Sequence, residues 1–307
     1  MSMKKIYIII LNFNGRANTV ECLHSFKNLR VPQGFEIVPV IVDNNSHDDS
    51  VKVFKEKFSD IKLIETKKNL GYSGGNNVGI SYALENHASH IIVLNNDTLL
   101  ERTTVYELIE GLRMYTAEVA CPKIYFEKGF EYHKDRYAKN ELGRVFWFAG
   151  GEMDWANVIG HHRGVDAVDN GQYDKKVDIE SITGACFIAT AEVFKKVGTF
   201  NDSYFLYYED ADLSVRMKQE GFKIILAPKS IIYHKNAGST GGSGSTLQDY
   251  FITRNRLVFG LKYAPLRAKI ALIRESMKLL VSGRKWQKKG VMDFYARRLG
   301  KGTYPLP

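Results

Sequence analysis

Residues 204–216 read YFLYYEDADLSVR, where four aromatic residues and a leucine run into three carboxylates, Glu209, Asp210 and Asp212. Leu213 and Met217, with the Ala211–Val215 pair, fall at helical spacing, so the carboxylates open a helix. Acidic residues in a first turn are favoured by the helix dipole and need no chemical role. The aromatic wall changes this reading. A carboxylate held against apolar rings with like charges beside it has its ionised form disfavoured and its pKa raised. Such a group is basic enough to take a proton from a hydroxyl.

A second set of polar residues stands where apolar runs end. Asn12-Phe13-Asn14-Gly15, Asp43-Asn44-Asn45-Ser46, the stretch 69–77 (NLGYSGGNN) and Asn95-Asn96-Asp97 each follow such a run. One of them alone is an Asx turn or a helix cap. Four of them in one sheet gather around one crevice, which makes Asn12, Asn14, Asp43, Asn45, Gly71, Asn76, Asn96 and Asp97 candidate ligand contacts. Asp43 suits a base N–H or a ribose hydroxyl, and Asp97 suits a hard divalent cation bridging phosphates. Further on, Thr183-Gly184-Ala185 allows close backbone approach, with Gly184 and Ala185 as contacts to a donor sugar. His234 ends a strand and leads into HKNAGSTGGSGS, a Gly/Ser segment suited to a lid, in which Lys235 and Ser239 can reach phosphate oxygens. His161 and His162 are polar loop residues or contacts to acceptor or phosphate, and they lack metal-site spacing.

The runs that position these groups are 5–11, 36–42, 61–65 and 90–95, nearly continuous in apolar residues and so buried on both faces of a parallel sheet. Amphipathic stretches near 19–29, 49–58, 76–85 and 103–115 alternate with them, with Asp48 or Asp49 capping the second. The pattern is α/β, a doubly wound Rossmann-like half. Residues 177–190 read as one strand, and 222–227 and 230–233 as two more. Three helices follow, at 247–263, 266–281 and 286–299. In the middle one Leu266, Ile270, Ile273, Met277 and Leu280 form an apolar stripe, with Arg267, Lys269, Arg274 and Lys278 on the remaining surface.

The 307 residues allow one large domain or a domain with an appendage. The division expected is a catalytic domain over 1–245, with a nucleotide-binding half (1–117) and an acceptor and catalytic half (118–245), then a basic amphipathic helical extension over 246–307. Fourteen Lys/Arg stand against three Asp/Glu from Gly241 onward, which is +11 of a total of +9 and leaves −2 for the rest. Such a tail packs on the catalytic domain, pairs two subunits as a homodimer, or lies on an anionic membrane surface. The near-neutral body with its acidic cluster argues against nucleic acid. IYIIIL is too short to span a bilayer and no leader pattern precedes it. Cys22, Cys121 and Cys186 have no CxxC spacing. These features fit a reduced, cytoplasmic protein, soluble or peripheral at the inner face of the cell membrane. No GxGxxG follows the first strand, against a dinucleotide enzyme, and no Gly-rich basic loop stands there, against a sugar-phosphate nucleotidyltransferase.

Taken in order, NFNG, VDNNS, NLGYSGGNN, LNNDT, TGACFIA, YFLYYEDADLSVR and HKNAGST resemble the family 2 glycosyltransferases of the GT-A fold. Within that family the chain is most similar to bacterial rhamnosyltransferase-like enzymes of O-antigen and related cell-surface glycans. The resemblance covers roughly residues 4–256. It implies inverting transfer from a nucleotide sugar, dTDP- or UDP-linked, to a glycan or polyprenyl-linked acceptor. It implies Asp43 on the pyrimidine, Asp97 in a DxD-type motif with Mg²⁺ or Mn²⁺, His234 completing the metal site, and Asp210 of the Glu209-Asp210 pair as general base. Asn95 and Asn96 replace the usual first and middle positions of that motif, so metal affinity leans on the diphosphate. No QxxRW occurs, unlike in a processive synthase. The two other readings are a nucleotidyltransferase and a non-enzymatic basic protein of the membrane surface.

Overall fold

Apolar runs without alternation need cover on both faces, and one large sheet between helices provides it. The computed structural model describes residues 3–175, 177–235 and 244–306. Strands β1 (Lys4–Asn12), β2 (Phe35–Asp43), β3 (Lys62–Glu65) and β4 (His90–Asn95) alternate with helices α1 (Arg16–His24), α2 (Ser50–Lys57) and α3 (Gly71–Glu85). Next come β5 (Thr98–Leu100), α4 (Thr104–Tyr115), β6 (Val119–Phe126) and the short strands β7 (Phe146–Phe148), β8 (Gly151–Asp154) and β9 (Ile159–His162). The chain continues through β10 (Cys186–Thr190), α5 (Ala191–Val197), α6 (Glu209–Gln219) and β11 (Ile224–His234) to α7 (Thr246–Tyr263), α8 (Leu266–Ser282) and α9 (Lys285–Tyr295).

The sheet runs β3-β2-β1-β4-β10-β6-β11-β5, with β7 beside β6. The first four strands are mutually parallel, β10 is antiparallel to both β4 and β6, and β11 is parallel to β6. Ile6, Ile8, Ile9 and Ile10 of β1 and Ile91, Ile92 and Val93 of β4 have no exposed surface. Fully burying side chains of this size stabilises by about 1.5–3 kcal/mol each. Glycines on α3 let that helix lie close: a Cβ at Gly79 would stand 2.3 Å from Ile9.

Several details differ from the sequence expectation. Only Cys186–Thr190 of 177–190 is a strand, because Thr183-Gly184-Ala185 turns toward α6 instead. The two strands expected over 222–233 are one, β11, whose register against β6 shifts between Ala227 and Ile231, around Pro228. Helix α3 begins at Gly71, five residues early, with its glycines packed inward. Ahead of α2 the Asp48 carboxylate accepts the Ser50 N–H (3.1 Å), while Asp49 pairs with Arg16.

Helices α7, α8 and α9 pack on one another and on the sheet domain. The buried face of α8 is Ala268, Leu272 and Ser276. Its larger apolar stripe, with Leu266, Ile270, Ile273 and Met277, is exposed, and Leu280 is half-buried. No described helix is long and apolar enough to cross a membrane. The three cysteines are buried and unpaired.

Candidate active site

Strand register sets the polar ends in one row. Asn12 lies opposite Asp43 across β1 and β2, and Leu11 opposite Asn95 across β1 and β4. Asn12 is fully buried. Its Nδ2 donates to Asp43 Oδ2 (2.8 Å) and Ser46 Oγ (3.0 Å), and its Oδ1 accepts from the Thr19 hydroxyl (2.8 Å). Asn96 donates to that hydroxyl as well (2.9 Å). Asn12 therefore orients the Asp43 carboxylate and has no surface of its own in the crevice. Asp43 Oδ1 accepts the Ser46 N–H (2.9 Å). Asn14 and Asn45 take left-handed backbone, φ 51° and 66°, a conformation Asn tolerates.

Asn44, which the sequence reading gave no role, ties this row to the next loop. Its Nδ2 donates to Asn69 Oδ1 and the Gly71 carbonyl (3.0 Å each), and its Oδ1 accepts the Leu70 N–H (2.9 Å). Gly71 has φ +73°, and a Cβ there would stand 2.5 Å from the Phe205 carbonyl and ring. Only glycine fits that contact. Asn76 is buried and donates to the Tyr72 carbonyl (3.0 Å). Gly71 and Asn76 thus fasten α3 into place rather than opening onto solvent.

The next group lies at the end of β11. Its pairing with β5 sets His234 opposite Thr98, the residue after Asp97, and His234 Nε2 stands 3.1 Å from Asp97 Oδ1. Both side chains are buried. His234 Nδ1 is buried with no hydrogen-bond partner among the described residues. The Trp147 ring packs edge-on against His234 and His162, 4.5 Å between centroids in each case. Burial pushes His162 down to about 4, so it is a neutral wall of the site. No cluster of three His, Cys, Asp or Glu able to hold a metal occurs among the described residues. A carboxylate and an imidazole 3.1 Å apart nevertheless fit as two protein ligands for Mg²⁺ or Mn²⁺, and substrate phosphates and water would have to supply the rest. The Lys235 ammonium reaches Glu21 and Glu127, so in this arrangement it is held by carboxylates. Ser239 lies outside the described residues.

The three carboxylates of α6 divide into different roles. Asp212 is buried, and although burial alone would raise its pKa, Arg216 (2.8 Å), Lys262 (3.0 Å) and Tyr263 (2.8 Å) hold it below the usual carboxylate range. It is a fixed anion that anchors α7. Glu209 is buried, and desolvation, with Asp210 next to it, lifts it well above that range. Asp210 is partly exposed and is also raised by desolvation, against the lowering effect of the Gly184 and Ala211 N–H groups. Those donors lie 3.1 Å from its Oδ2 and 2.8 Å from its Oδ1. Gly184 is itself held by the Tyr72 hydroxyl on its carbonyl (2.5 Å). The neighbouring Ala185 carbonyl accepts the Asn95 N–H (2.9 Å). Two backbone contacts thus connect the Asp97 loop to Asp210.

Asp210 lines a cavity of about 230 Å³ with His161, His162, Tyr207, Tyr208 and Ile252. A larger cavity of about 800 Å³ lies between α3 and the C-terminal stretch, and neither Asp97 nor Asp210 lines it. The loop before α6 is strained, with Phe205, Tyr207 and Tyr208 at φ 66°, 69° and 71°. Asn255 of α7 holds it by donating to the carbonyls of Tyr204 (2.9 Å), Leu206 (2.8 Å) and Tyr207 (2.9 Å). The fully buried Arg254 donates to the Tyr204 carbonyl (3.0 Å) and lies over the Phe251 ring. Sequence reasoning missed Tyr72, Trp147, Arg254 and Asn255. The polar pair Arg254-Asn255 inside an otherwise packed helix was the available signal.

Residues 7–182 match glycosyl transferase family 2, and residues 162–260 match a glycosyltransferase-like family 2. The chain is similar to a low-salt glycan biosynthesis hexosyltransferase, Agl10, of Haloferax volcanii: 25% identity over 220 residues, 71% of this chain and 66% of that protein. It is also similar to the N-acetylglucosaminyl-diphospho-decaprenol L-rhamnosyltransferase of Mycobacterium tuberculosis, at 23% over 215 residues, 66% of this chain and 67% of that one. These matches span about two thirds of each relative's own length. A mannosyltransferase from Pyrobaculum calidifontis, in complex with GDP-Man and Mn²⁺, has a similar fold, with TM-score 0.56 and 13% identity. That match covers 100% of this chain and 78% of the other.

Proposed function

This chain belongs to glycosyl transferase family 2, and we propose that it transfers a hexose, rhamnose foremost, from a dTDP- or UDP-linked donor to an acceptor hydroxyl with inversion. Its fold is the GT-A fold. The acceptor is a glycan or polyprenyl-linked saccharide, so the enzyme works at the cytoplasmic face of a membrane. The donor nucleotide lies over the ends of β1, β2 and β4, with Asp43 on the base and Asn14, Asn45 and Asn96 around it. Asp97 and His234 hold Mg²⁺ or Mn²⁺, which when bound supplies positive charge against the departing diphosphate. Gly184 and Ala185 contact the sugar, and the acceptor enters the cavity beside Asp210.

In the transfer step Asp210 Oδ takes the proton of the acceptor hydroxyl as its oxygen bonds to the anomeric carbon. The bond from that carbon to the phosphate oxygen breaks, and the electron pair leaves with the nucleoside diphosphate. The observation that supports this best is the Asp210 carboxylate itself, oriented by two backbone N–H groups, raised in pKa by burial and open to a cavity. Asp210→Asn keeps the shape and should lower transfer about 10²–10⁴-fold with donor binding little changed. A larger loss in Glu209→Gln would move the base to Glu209. Release of pyrophosphate instead of nucleoside diphosphate would favour the nucleotidyltransferase reading.

A further inference from the structure

Helix α8 has two apolar faces, and the described residues cover only one. On that side Leu272 fills the notch at Gly260 of α7, where a Cβ would stand 2.2 Å from its methyl group. The other side presents Leu266, Ile270, Ile273, Met277 and Val281, between 43% and 80% exposed. At helical spacing these fall in one stripe along the axis. Arg267, Arg274 and Lys278 border it on one side and Lys269 on the other. Glu275, the single acid of α8, turns away to Arg256 (2.8 Å).

We propose that this face of α8 docks on an anionic lipid bilayer. The stripe enters the acyl boundary while the flanking cations stay among the headgroups, as long basic side chains do. The charge pattern selects this occupant. A second copy packed stripe to stripe would bring cationic borders together, whereas an anionic surface complements both borders at once. The placement also suits an acceptor carried by lipid. Val158, between β8 and β9, packs in the same buried cluster as Leu272, and Met153 and Ile159 of that hairpin line the cavity beside Asp210. The proposal does not depend on the transfer reaction, and its primary readout, vesicle binding, uses no sugar.

The full chain is floated with vesicles of phosphatidylglycerol and phosphatidylcholine, and with phosphatidylcholine alone. We expect at least tenfold tighter binding to the anionic vesicles. Ile270→Ser with Met277→Ser should lower that affinity at least tenfold, with unchanged melting temperature and unchanged nucleotide-sugar hydrolysis. Reversal of the border (Arg267→Glu, Arg274→Glu, Lys278→Glu) should lower it similarly and flatten its salt dependence. Failure of the wild type to bind, or binding by both variants equal to wild type, overturns the proposal. So does a wild-type dimer that the Ile270/Met277 variant converts to monomer, because a second copy would then cover the stripe.

Discussion

Three carboxylates within four residues are equivalent in sequence and different in the molecule. Asp212 differs because Lys262 and Tyr263, fifty residues later, close on it, and no local pattern announces such a pairing. Glu209 is buried, whereas Asp210 is partly exposed and accepts the Gly184 and Ala211 N–H groups. Their raised basicity was legible, since the aromatic run beside them predicts it, but which of the two lines the cavity beside His161 and Tyr207 was not. Glu209 allows a test by pH. Its folded pKa is raised, so its contribution to stability is complete below the ordinary carboxylate range and lost as pH rises through the raised value. Glu209→Gln should therefore melt higher than wild type near pH 8, by about 2–4 °C for each kcal/mol recovered, and the gap should close toward pH 4. A constant gap across that range would mean that Glu209 is not ionising in the fold. Asp97 and His234 were legible as strand ends, and β11 pairing with β5 sets them side by side. Nucleoside diphosphate should raise the melting temperature only with Mg²⁺ or Mn²⁺ present, since a ligand of the native state alone stabilises it. Asp97→Ala should remove that shift, and an undiminished shift in the variant would take the metal away from Asp97.

Strands were the most legible elements, because β1, β2 and β4 are apolar throughout and stop at Asx residues. Helix faces were less so. Periodicity marks the wide stripe of α8, but the packed face is the one where Leu272 enters the notch at Gly260, flanked by the small Ala268 and Ser276. Hydrophobic pattern alone does not say which of two apolar faces is covered. The loop from Phe205 to Tyr208 is a related case: three aromatic residues in left-handed backbone are costly, and what holds them is the amide of Asn255 on a helix about fifty residues away. Removing that amide in Asn255→Ala takes one donor from each of the Tyr204, Leu206 and Tyr207 carbonyls, a loss of about 1–3 kcal/mol. The effect on kcat should exceed the effect on nucleotide affinity, because α6 shifts while the β1–β4 end stays in place. Equal kcat in variant and wild type would show that the loop keeps its shape without the clamp.

At the scale of the whole molecule the C-terminal residues close a circle. The Gly300 N–H donates to the Ser203 carbonyl (2.8 Å), and Tyr304 packs against Tyr250, Phe251 and Trp286. Deleting residues 296–307 should lower both the melting temperature and transfer while nucleoside diphosphate still binds. Loss of nucleotide binding together with transfer would mean that the deletion unfolds the N-terminal half as well. The same long-range closure has a consequence for how the chain is made. Strand β10 fills the gap between β4 and β6 and arrives late: Leu94 pairs with Cys186, 186 − 94 = 92 residues further on. At ~5–20 residues per second of synthesis, a ribosome needs roughly 5–20 s to deliver that partner. Through this interval the nascent first half carries a bare strand edge of Ile91, Ile92, Val93 and Leu94, a template for pairing with any neighbouring chain. A chain truncated before residue 186 keeps that edge and should aggregate on release from the ribosome, whereas one that extends past Thr190 covers it from within.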